Sequence, residues 1–259
     1  ILIDIVRKFF SKMSSGKKSK VISQKNIETS LIERFLYPKY GPGQMWEVVS
    51  DELISKGVKI IMQSEVIEFE LSTEENKINS LKYKNKDSQI ILSEYDFVIS
   101  PMPIKDLYSG FKNFTNKGKN LKAYNIAKDL PYRDFITVGI LLDRLSGPND
   151  EILDDNWIYI QEDDVKVGRI QIFNNWSPFL VKDPEKIWIG LEYFCDEGDS
   201  FWINNDENII KIAKEELVKL KLCNLKDIRD ATIIREKKTY PAYFGTYKDF
   251  DLIKKDLNK

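Results

Sequence analysis

The residues best suited to bind a ligand are aromatic side chains in the second half of the chain. Each has an apolar ring that can exclude water and a polar tip that can orient a ligand. Strand alternation places Tyr193 on one face of a sheet and Glu192 on the other. We expect these aromatic side chains to form a ligand-binding cleft, with Tyr193 rather than Glu192 in its lining. The alternative is that these aromatics fill the core and edges of the sheet. The four candidate substrate-binding residues are Trp176, Tyr193, Tyr240 and Tyr243.

The lack of one residue type limits the catalytic chemistry open to this chain. The chain contains no histidine, which excludes Ser-His-Asp and Cys-His catalysis and every metal site that needs histidine. Glu192 would act as an acid or base only if burial raised its pKa, and an outward-facing, solvated side chain is the expectation for a glutamate in a strand. We expect Cys195 to serve in packing, because no histidine can activate its thiol. We therefore assign no catalytic residue and predict no metal site.

Composition limits the class of protein and of partner. The 259 residues are 42% hydrophobic and 12% aromatic, so the chain can bury a sizeable core and is not disordered as a whole. With 40 basic and 41 acidic residues, it lacks the excess charge typical of nucleic-acid binding. No apolar run approaches the roughly 20 residues that span a bilayer. Two cysteines fit a reducing compartment. We expect a cytoplasmic protein with a small-molecule substrate, no nucleic acid and no transmembrane segment.

The first half has the pattern of a helix followed by a β-meander. Apolar residues recur on one face of residues 44–56, and Gly57 stands where a left-handed cap ends a helix. The apolar run after it predicts a buried strand. Alternating and turn-bounded segments predict four more strands. The predicted strands are residues 58–62, 65–71, 79–83, 89–92 and 95–100.

The second half predicts a mostly antiparallel sheet with covering helices. Its strand-like stretches are separated by loops rich in Asp, Asn, Gly and Pro. One strong helix begins at Asp206, which is the expected N-cap. Together the two halves predict an α+β fold, and residues 1–36 predict a helix followed by a mobile basic loop. The strands expected in the second half are residues 135–142, 157–160, 169–173, 186–194 and 230–235.

Three motifs in the first half occur in a fixed order. They are YPKYGPGQMW at residues 37–46, VIEF at residues 66–69 and DFVISPMP at residues 96–103. Glycines before a helix let a ligand approach the backbone closely, although a lone GxG more often marks an ordinary tight turn. In this order the motifs resemble the flavin-containing amine oxidase superfamily, which includes protoporphyrinogen oxidases and, more remotely, UDP-galactopyranose mutases. The resemblance covers residues 37–107 well and the remainder loosely.

The resemblance implies FAD as the cofactor and an oxidoreductase that removes hydride from an amine or a C–C bond. Residues 37–107 would be the peripheral part of the FAD domain, with Val66 against the adenine. Residues 108–235 would form the substrate domain, whose sheet roofs the isoalloxazine, and residues 236–259 would return toward the FAD domain. The residues implied in cofactor binding are Gly41, Gly43, Val66, Ser100, Pro101 and Met102.

Two segments typical of that superfamily are missing from these 259 residues. There is no GxGxxG fingerprint after an apolar strand, and no closing FAD-binding segment. The sequence opens at Ile1 without methionine, so we expect a piece of a longer protein that binds FAD weakly or not at all by itself.

Two other functions remain open at this stage. One is a mutase in which reduced flavin acts as the nucleophile, which would need arginines converging on a diphosphate. The other is a non-enzymatic binding or scaffold domain, which would show an exposed apolar patch without a cofactor cleft. The arginines available for the mutase are Arg133, Arg144, Arg169 and Arg235.

Overall fold

The computed structural model describes residues 36–72, 77–111, 121–147, 149 and 151–258. The helix and basic loop expected at residues 1–36 lie outside the described residues, apart from Leu36. What is described confirms the α+β class: six α-helices accompany a three-stranded and a five-stranded antiparallel sheet.

The first half contains helix α1 and a β-meander, as the sequence predicts. Helix α1 ends in a Schellman motif: Gly57 adopts a φ of 87°, and the amides of Gly57 and Val58 donate to Ile54 and Leu53. The sheet order is β1-β2-β3. The bounds are α1 Pro42–Ser55, β1 Glu65–Leu71, β2 Ile78–Lys84 and β3 Ile90–Glu94.

Two predicted strands of the first half are not strands. Residues 58–62 and 95–100 are extended chain that belongs to neither sheet. The expectation that residues 58–62 are buried is also wrong, since every one of them is exposed. Their apolar pattern indicates burial on both sides, but no neighbouring strand among the described residues provides it.

The second half forms a five-stranded sheet in the order β5-β6-β7-β4-β8, with every neighbouring pair antiparallel. The two central strands are the most apolar, which suits strands buried within a sheet. The last strand extends beyond the predicted residue 235 and carries the sheet into the C-terminal segment. The bounds are β4 Tyr132–Leu142, β5 Trp157–Tyr159, β6 Arg169–Ile172, β7 Ile187–Cys195 and β8 Ile228–Pro241.

One face of this sheet packs against helix α5, which runs from Asp206 to Lys219. Asn205, rather than Asp206, is its N-cap, and its side chain accepts the amide of Asn208. The apolar face of α5 meets alternate residues of the central strands. The buried core between them includes Ile136, Val138, Ile140, Leu191, Ile209, Ala213 and Leu217.

Three short helices, Ile104–Gly110, Leu121–Lys128 and Phe250–Leu257, build a second, smaller core beside the sheet. Tyr108 lies at its centre, fully buried, and its hydroxyl donates to Asp256 at 3.1 Å. None of the helices in the described part of the chain is long and apolar enough to cross a membrane. The bounds are α2 Ile104–Gly110, α3 Leu121–Lys128, α4 Phe173–Trp176 and α6 Phe250–Leu257.

Candidate functional site

The face of the large sheet opposite α5, here called the open face, carries a row of functional side chains. Antiparallel pairing aligns one residue from each strand, because directly paired residues point to the same side. The aligned row, here called the polar row, is Tyr159, Arg169, Glu192, Thr137 and Ile234. A second row beside it is Trp157, Gln171, Gly190, Gly139 and Thr232.

Arg169 is the centre of the open face. Its Nε donates to Glu192, and its guanidinium carbon lies 4.8 Å from the ring centroid of Trp157 and 5.8 Å from that of Tyr159. Nη1 lies 3.5 Å from the Tyr159 hydroxyl oxygen. The planar cation is therefore fixed by an ion pair and by two aromatic rings.

Glu192 contradicts the expectation of a solvated side chain, because only 1% of its surface is exposed. Arg169 and Gln171 both donate to its carboxylate. A buried carboxylate without partners would be very costly, and these two donors from the adjacent strand satisfy it. The sequence shows an acid within an apolar strand, but only the pairing of β6 with β7 reveals its partners.

Glycines on the open face allow aromatic rings to lie directly over the sheet. Gly139 and Gly190 are paired across β4 and β7. A Cβ on Gly139 would meet the Trp188 ring at 3.1 Å, and one on Gly190 would meet the Phe173 ring at 3.0 Å. The polar row is thus flanked by rings packed onto bare backbone.

Tyr193 does not line a cleft, and that prediction is wrong. Its side chain is 1% exposed within the core beneath α5. The hydroxyl donates to Glu216 at 2.9 Å, and Glu216 also accepts the amides of Lys166 and Val167. Burial and then the charge of Glu216 raise the pKa of Tyr193 well above its ordinary value. Alternation does separate Tyr193 from Glu192 as expected, but α5 covers the tyrosine face.

Cys195 packs in the same core, as the sequence predicts. Burial raises the pKa of its thiol to about 11 and does the same for Cys223. Both are free thiols held in the protonated, unreactive form. Within the described residues, no group of three or more acidic or thiol side chains could hold a metal ion.

A cleft of about 570 Å³ brings together residues that the sequence analysis assigned separately to cofactor and substrate. Pro101, Met102 and Tyr243 all line it. Tyr132 and Lys238 complete the polar part of the lining. The cleft is otherwise apolar, as expected of a site that orients a ligand with few polar groups.

A bulge in β8 directs the chain toward this cleft. Residues 237–239 all lie opposite Asp134 on β4. Asp134 is 4% exposed, and its carboxylate accepts the amides of Lys238 and Glu197. Lys238 takes a left-handed φ of 54°, and its Nζ lies 2.5 Å from Asp106 on α2. Asp134 therefore fixes the turn that carries Tyr243 to the cleft.

Ser100 immediately precedes the cleft wall and has an unsatisfied polar atom. Its Oγ is buried and has no hydrogen-bond partner among the described residues. A buried hydroxyl without a partner is destabilising by about 1–3 kcal/mol. A polar ligand group at this position would remove that cost.

The segment that contains Gly41 packs against the segment that contains Trp176, away from the 570 Å³ cleft. Gly41 has a φ of 85°, and a Cβ there would lie 3.1 Å from Leu180. Ser177 donates to the carbonyl of Lys39 at 2.7 Å, and Tyr37 stacks on Trp176 with centroids 5.1 Å apart. A turn and close packing thus account for the glycine at position 41 without a ligand. The same contacts join the motif at residues 37–46 to the segment that precedes β7.

The other predicted site residues are dispersed. No described atom lies within 4 Å of a Cβ built on Gly43. Val66 is half-buried on β1, an edge strand. Tyr240 is 49% exposed and pairs with Arg133. Tyr243 lines the 570 Å³ cleft and Trp176 does not, so the four predicted substrate residues do not share one cleft.

Three of the four arginines available for a diphosphate site, Arg133, Arg169 and Arg235, do not converge. Arg235 pairs with Ile136 on the α5 side of the sheet, whereas Arg169 lies on the open face. Arg235 donates to Asp206, and Arg133 lies 3.8 Å from Asp196. Acidic partners from different elements thus engage these cations separately.

Comparison with known proteins identifies the fold. No family model matches the chain, and no curated protein matches it in sequence. Among solved structures, reduced UDP-galactopyranose mutase is similar with a TM-score of 0.64 and 19% identity, over 82% of this chain and 43% of that one. A protoporphyrinogen oxidase-like protein from Exiguobacterium sp. 255-15 gives a TM-score of 0.61 and 12% identity, over 87% of this chain and 45% of that one.

An oxidoreductase from Methanosarcina mazei is similar too, with a TM-score of 0.52 and 13% identity, over 77% of this chain and 43% of that one. The chain spans less than half the length of each of these three structures. The fold that the sequence resemblance implied is therefore confirmed.

Proposed function

We propose that this chain is the part of an FAD-dependent, amine oxidase-like oxidoreductase that carries the substrate domain and the adenine side of the FAD site. The observation that carries the proposal is the cleft whose lining includes Pro101, Met102 and Tyr243. The sequence resemblance implies a cofactor role for the first two, and the sequence predicts a substrate role for the third. The fold shared with the oxidoreductases described above supports the same function.

The cleft, together with Ser100, which directly precedes its lining in the sequence, would hold one part of a dinucleotide. The unsatisfied Oγ of Ser100 would donate to a ribose or phosphate oxygen placed beside it, and the prolines that line the cleft would offer an apolar surface. The 259 residues contain no GxGxxG loop to hold the diphosphate. When bound, FAD would supply the electron transfer, and this chain would supply binding, orientation and exclusion of water.

The open face is the second half of the proposed site. Arg169 and Glu192 neutralise each other there, so the polar row orients a substrate by hydrogen bonds rather than by net charge. Trp157, Tyr159 and Phe194 are partly exposed beside it and can exclude water from a bound ligand. We propose a small-molecule substrate, no nucleic-acid partner and a cytoplasmic location.

A mutase acting on a sugar diphosphate is less well supported. It would need several arginines at one point, and Arg169 and Arg235 lie on opposite faces of the sheet. An oxidoreductase would need no such convergence, because bound FAD would supply the electron transfer.

The test is the FAD affinity of variants made in the product of the complete reading frame. We expect Ser100→Ala, which removes the unsatisfied hydroxyl, to weaken FAD binding by about tenfold, the effect of one good hydrogen bond. Ser109→Ala is the matched control, because the Ser109 hydroxyl donates to the Lys105 carbonyl of its own helix. Unchanged FAD affinity in the Ser100 variant would contradict the proposed cofactor contact.

A further inference from the structure

Arg169 and Gln171 lie side by side on the open face, as two neighbouring polar groups of strand β6. They are two residues apart, so strand alternation points both to the same side of the sheet. On β5, Tyr159 pairs with Arg169 and Trp157 pairs with Gln171. Each polar side chain therefore has an aromatic residue as its direct cross-strand neighbour.

The carboxylate of Glu192 decides which atoms of this pair remain for a ligand. A carboxylate only accepts hydrogen bonds, so the Gln171 amide must turn its nitrogen toward it. That nitrogen donates to Oε1 of Glu192, and Nε of Arg169 donates to Oε2. The Gln171 carbonyl oxygen and Arg169 Nη2 have no hydrogen-bond partner among the described residues, and neither atom is sealed inside the protein. The sheet thus offers one acceptor and one donor in fixed positions.

The surroundings of this pair favour a flat, uncharged ligand. Trp157 and Tyr159 are 44% and 63% exposed, so their rings offer apolar surface beside the two polar atoms. Glu192 already balances the charge of Arg169. An anionic ligand would lose its hydration beside that buried carboxylate and gain little net attraction, because the ion pair is neutral as a whole.

We propose that Arg169 and Gln171 recognise the edge of a cyclic amide, a lactam or an imide, as the substrate class of the open face. The Gln171 carbonyl oxygen accepts the ring N–H, and Arg169 Nη2 donates to the ring carbonyl. A ring holds both amide groups on one edge, in the cis arrangement, whereas an open-chain secondary amide is trans and points them in opposite directions. One acceptor beside one donor matches the cyclic form. This inference rests on the proposed function, since it names the substrate class of the same site.

Calorimetric titration of the product of the complete reading frame with three matched bicyclic compounds tests the inference. 1(2H)-Isoquinolinone carries the lactam edge, its N-methyl derivative lacks the N–H, and 1-naphthoate carries an anionic group on a ring system of the same size. We expect the lactam to bind at least about fivefold more tightly than either analogue, because each analogue leaves the Gln171 oxygen without a donor. Equal affinities, tighter binding of 1-naphthoate or no measurable binding of the lactam would overturn the proposal.

Variants of the two residues separate recognition from folding. Gln171→Met removes the acceptor and should abolish the preference for the lactam over its N-methyl derivative, whereas Gln161→Met, at an exposed glutamine outside the sheet, should retain it. Arg169→Lys keeps the counter-charge of Glu192 but lacks Nη2, so it should weaken binding of both compounds by a similar factor. Each preference is a ratio of two affinities within one folded protein, so a merely structural effect would not produce these results. An unchanged preference in Gln171→Met, or full lactam affinity in Arg169→Lys, would refute the proposed contacts.

The flavin is a second possible source of an imide edge, and the same titration distinguishes it. Lactam binding that persists at saturating FAD supports a substrate, whereas lactam binding that FAD abolishes would assign the pair to the cofactor and refute the substrate class. A product that carries FAD but shows no lactam preference would refute this inference alone. A product that binds no flavin yet prefers the lactam would refute the proposed function and leave the recognition of the edge intact.

Discussion

At the scale of single residues, the buried ion pair on the open face distinguishes this site most clearly. Glu192 is nearly inaccessible, and Arg169 covers it while resting between two aromatic rings. Each charge depends on the other, because either one alone would be buried without compensation. The pair therefore fixes the shape of the polar row.

Removal of one partner should expose this dependence. We expect Glu192→Ala to lower the free energy of unfolding by about 3 kcal/mol, because Arg169, whose side chain is only 14% exposed, loses its counter-charge and Gln171 loses its acceptor. Chemical denaturation monitored by circular dichroism measures the change. The control is Glu215→Ala, since Glu215 is exposed beside Lys211 on α5 and should change stability by less than about 0.5 kcal/mol. Equal effects of the two variants would show that Glu192 is solvated.

The two thiols provide a pH test at the same scale. Burial raises the pKa of Cys195 and Cys223 to about 11, so both remain protonated in the folded protein at pH 8. A raised thiol pKa contributes stability that is present below the unfolded pKa, about 8.5, and is lost as the pH rises toward 11. We expect maleimide labelling at pH 8 to be slow until denaturant is added. Labelling of the native protein as fast as free cysteine would contradict this burial.

At the scale of elements, the sequence pattern predicts strands and helices well where the described chain contains their partners. The central strands β4 and β7 and helix α5 lie where alternation and helical periodicity placed them. The apolar runs at residues 58–62 and 95–100 predict strands, but neither segment is one. An apolar run indicates that a segment is suited to burial, and it does not show whether the chain contains a strand to pair with it. Alternation also separates Tyr193 from Glu192, but it contains no information on which face a distant helix covers.

Helix ends provide a matched pair of predictions. Gly57 and Lys221 both occupy the left-handed position after a helix, with φ angles of 87° and 59°. Both helices end in the Schellman hydrogen-bond pattern, since Lys221 and Leu222 donate to Val218 and Leu217.

A side chain at this position is strained, and glycine is not. We therefore expect Lys221→Gly to raise the unfolding free energy by about 1 kcal/mol and Gly57→Ala to lower it by about 1 kcal/mol. Thermal unfolding of the two variants measures both changes. A loss of stability in Lys221→Gly would show that this helix end is not limited by backbone strain.

At the scale of the whole molecule, the proposed FAD site would draw only in part on this chain. The cleft with Pro101, Met102 and Tyr243 is formed by described residues. The GxGxxG pattern typical of diphosphate binding is not among the 259 residues.

The divided site predicts weak FAD binding by the 259-residue chain. Most of the dinucleotide would lack contacts, so we expect no stoichiometric quenching of flavin fluorescence at low micromolar protein. A fluorescence titration measures this, with FMN as the control ligand that lacks adenine. Tight, one-to-one quenching by FAD would contradict an incomplete site.

The flavin content of the product of the complete reading frame tests the central claim most directly. The protein is purified without added cofactor, and its absorption spectrum is recorded before and after denaturation. Assignment to an FAD-dependent oxidoreductase predicts about one FAD per chain, released on unfolding. A folded product that carries no flavin and binds none on addition would contradict it.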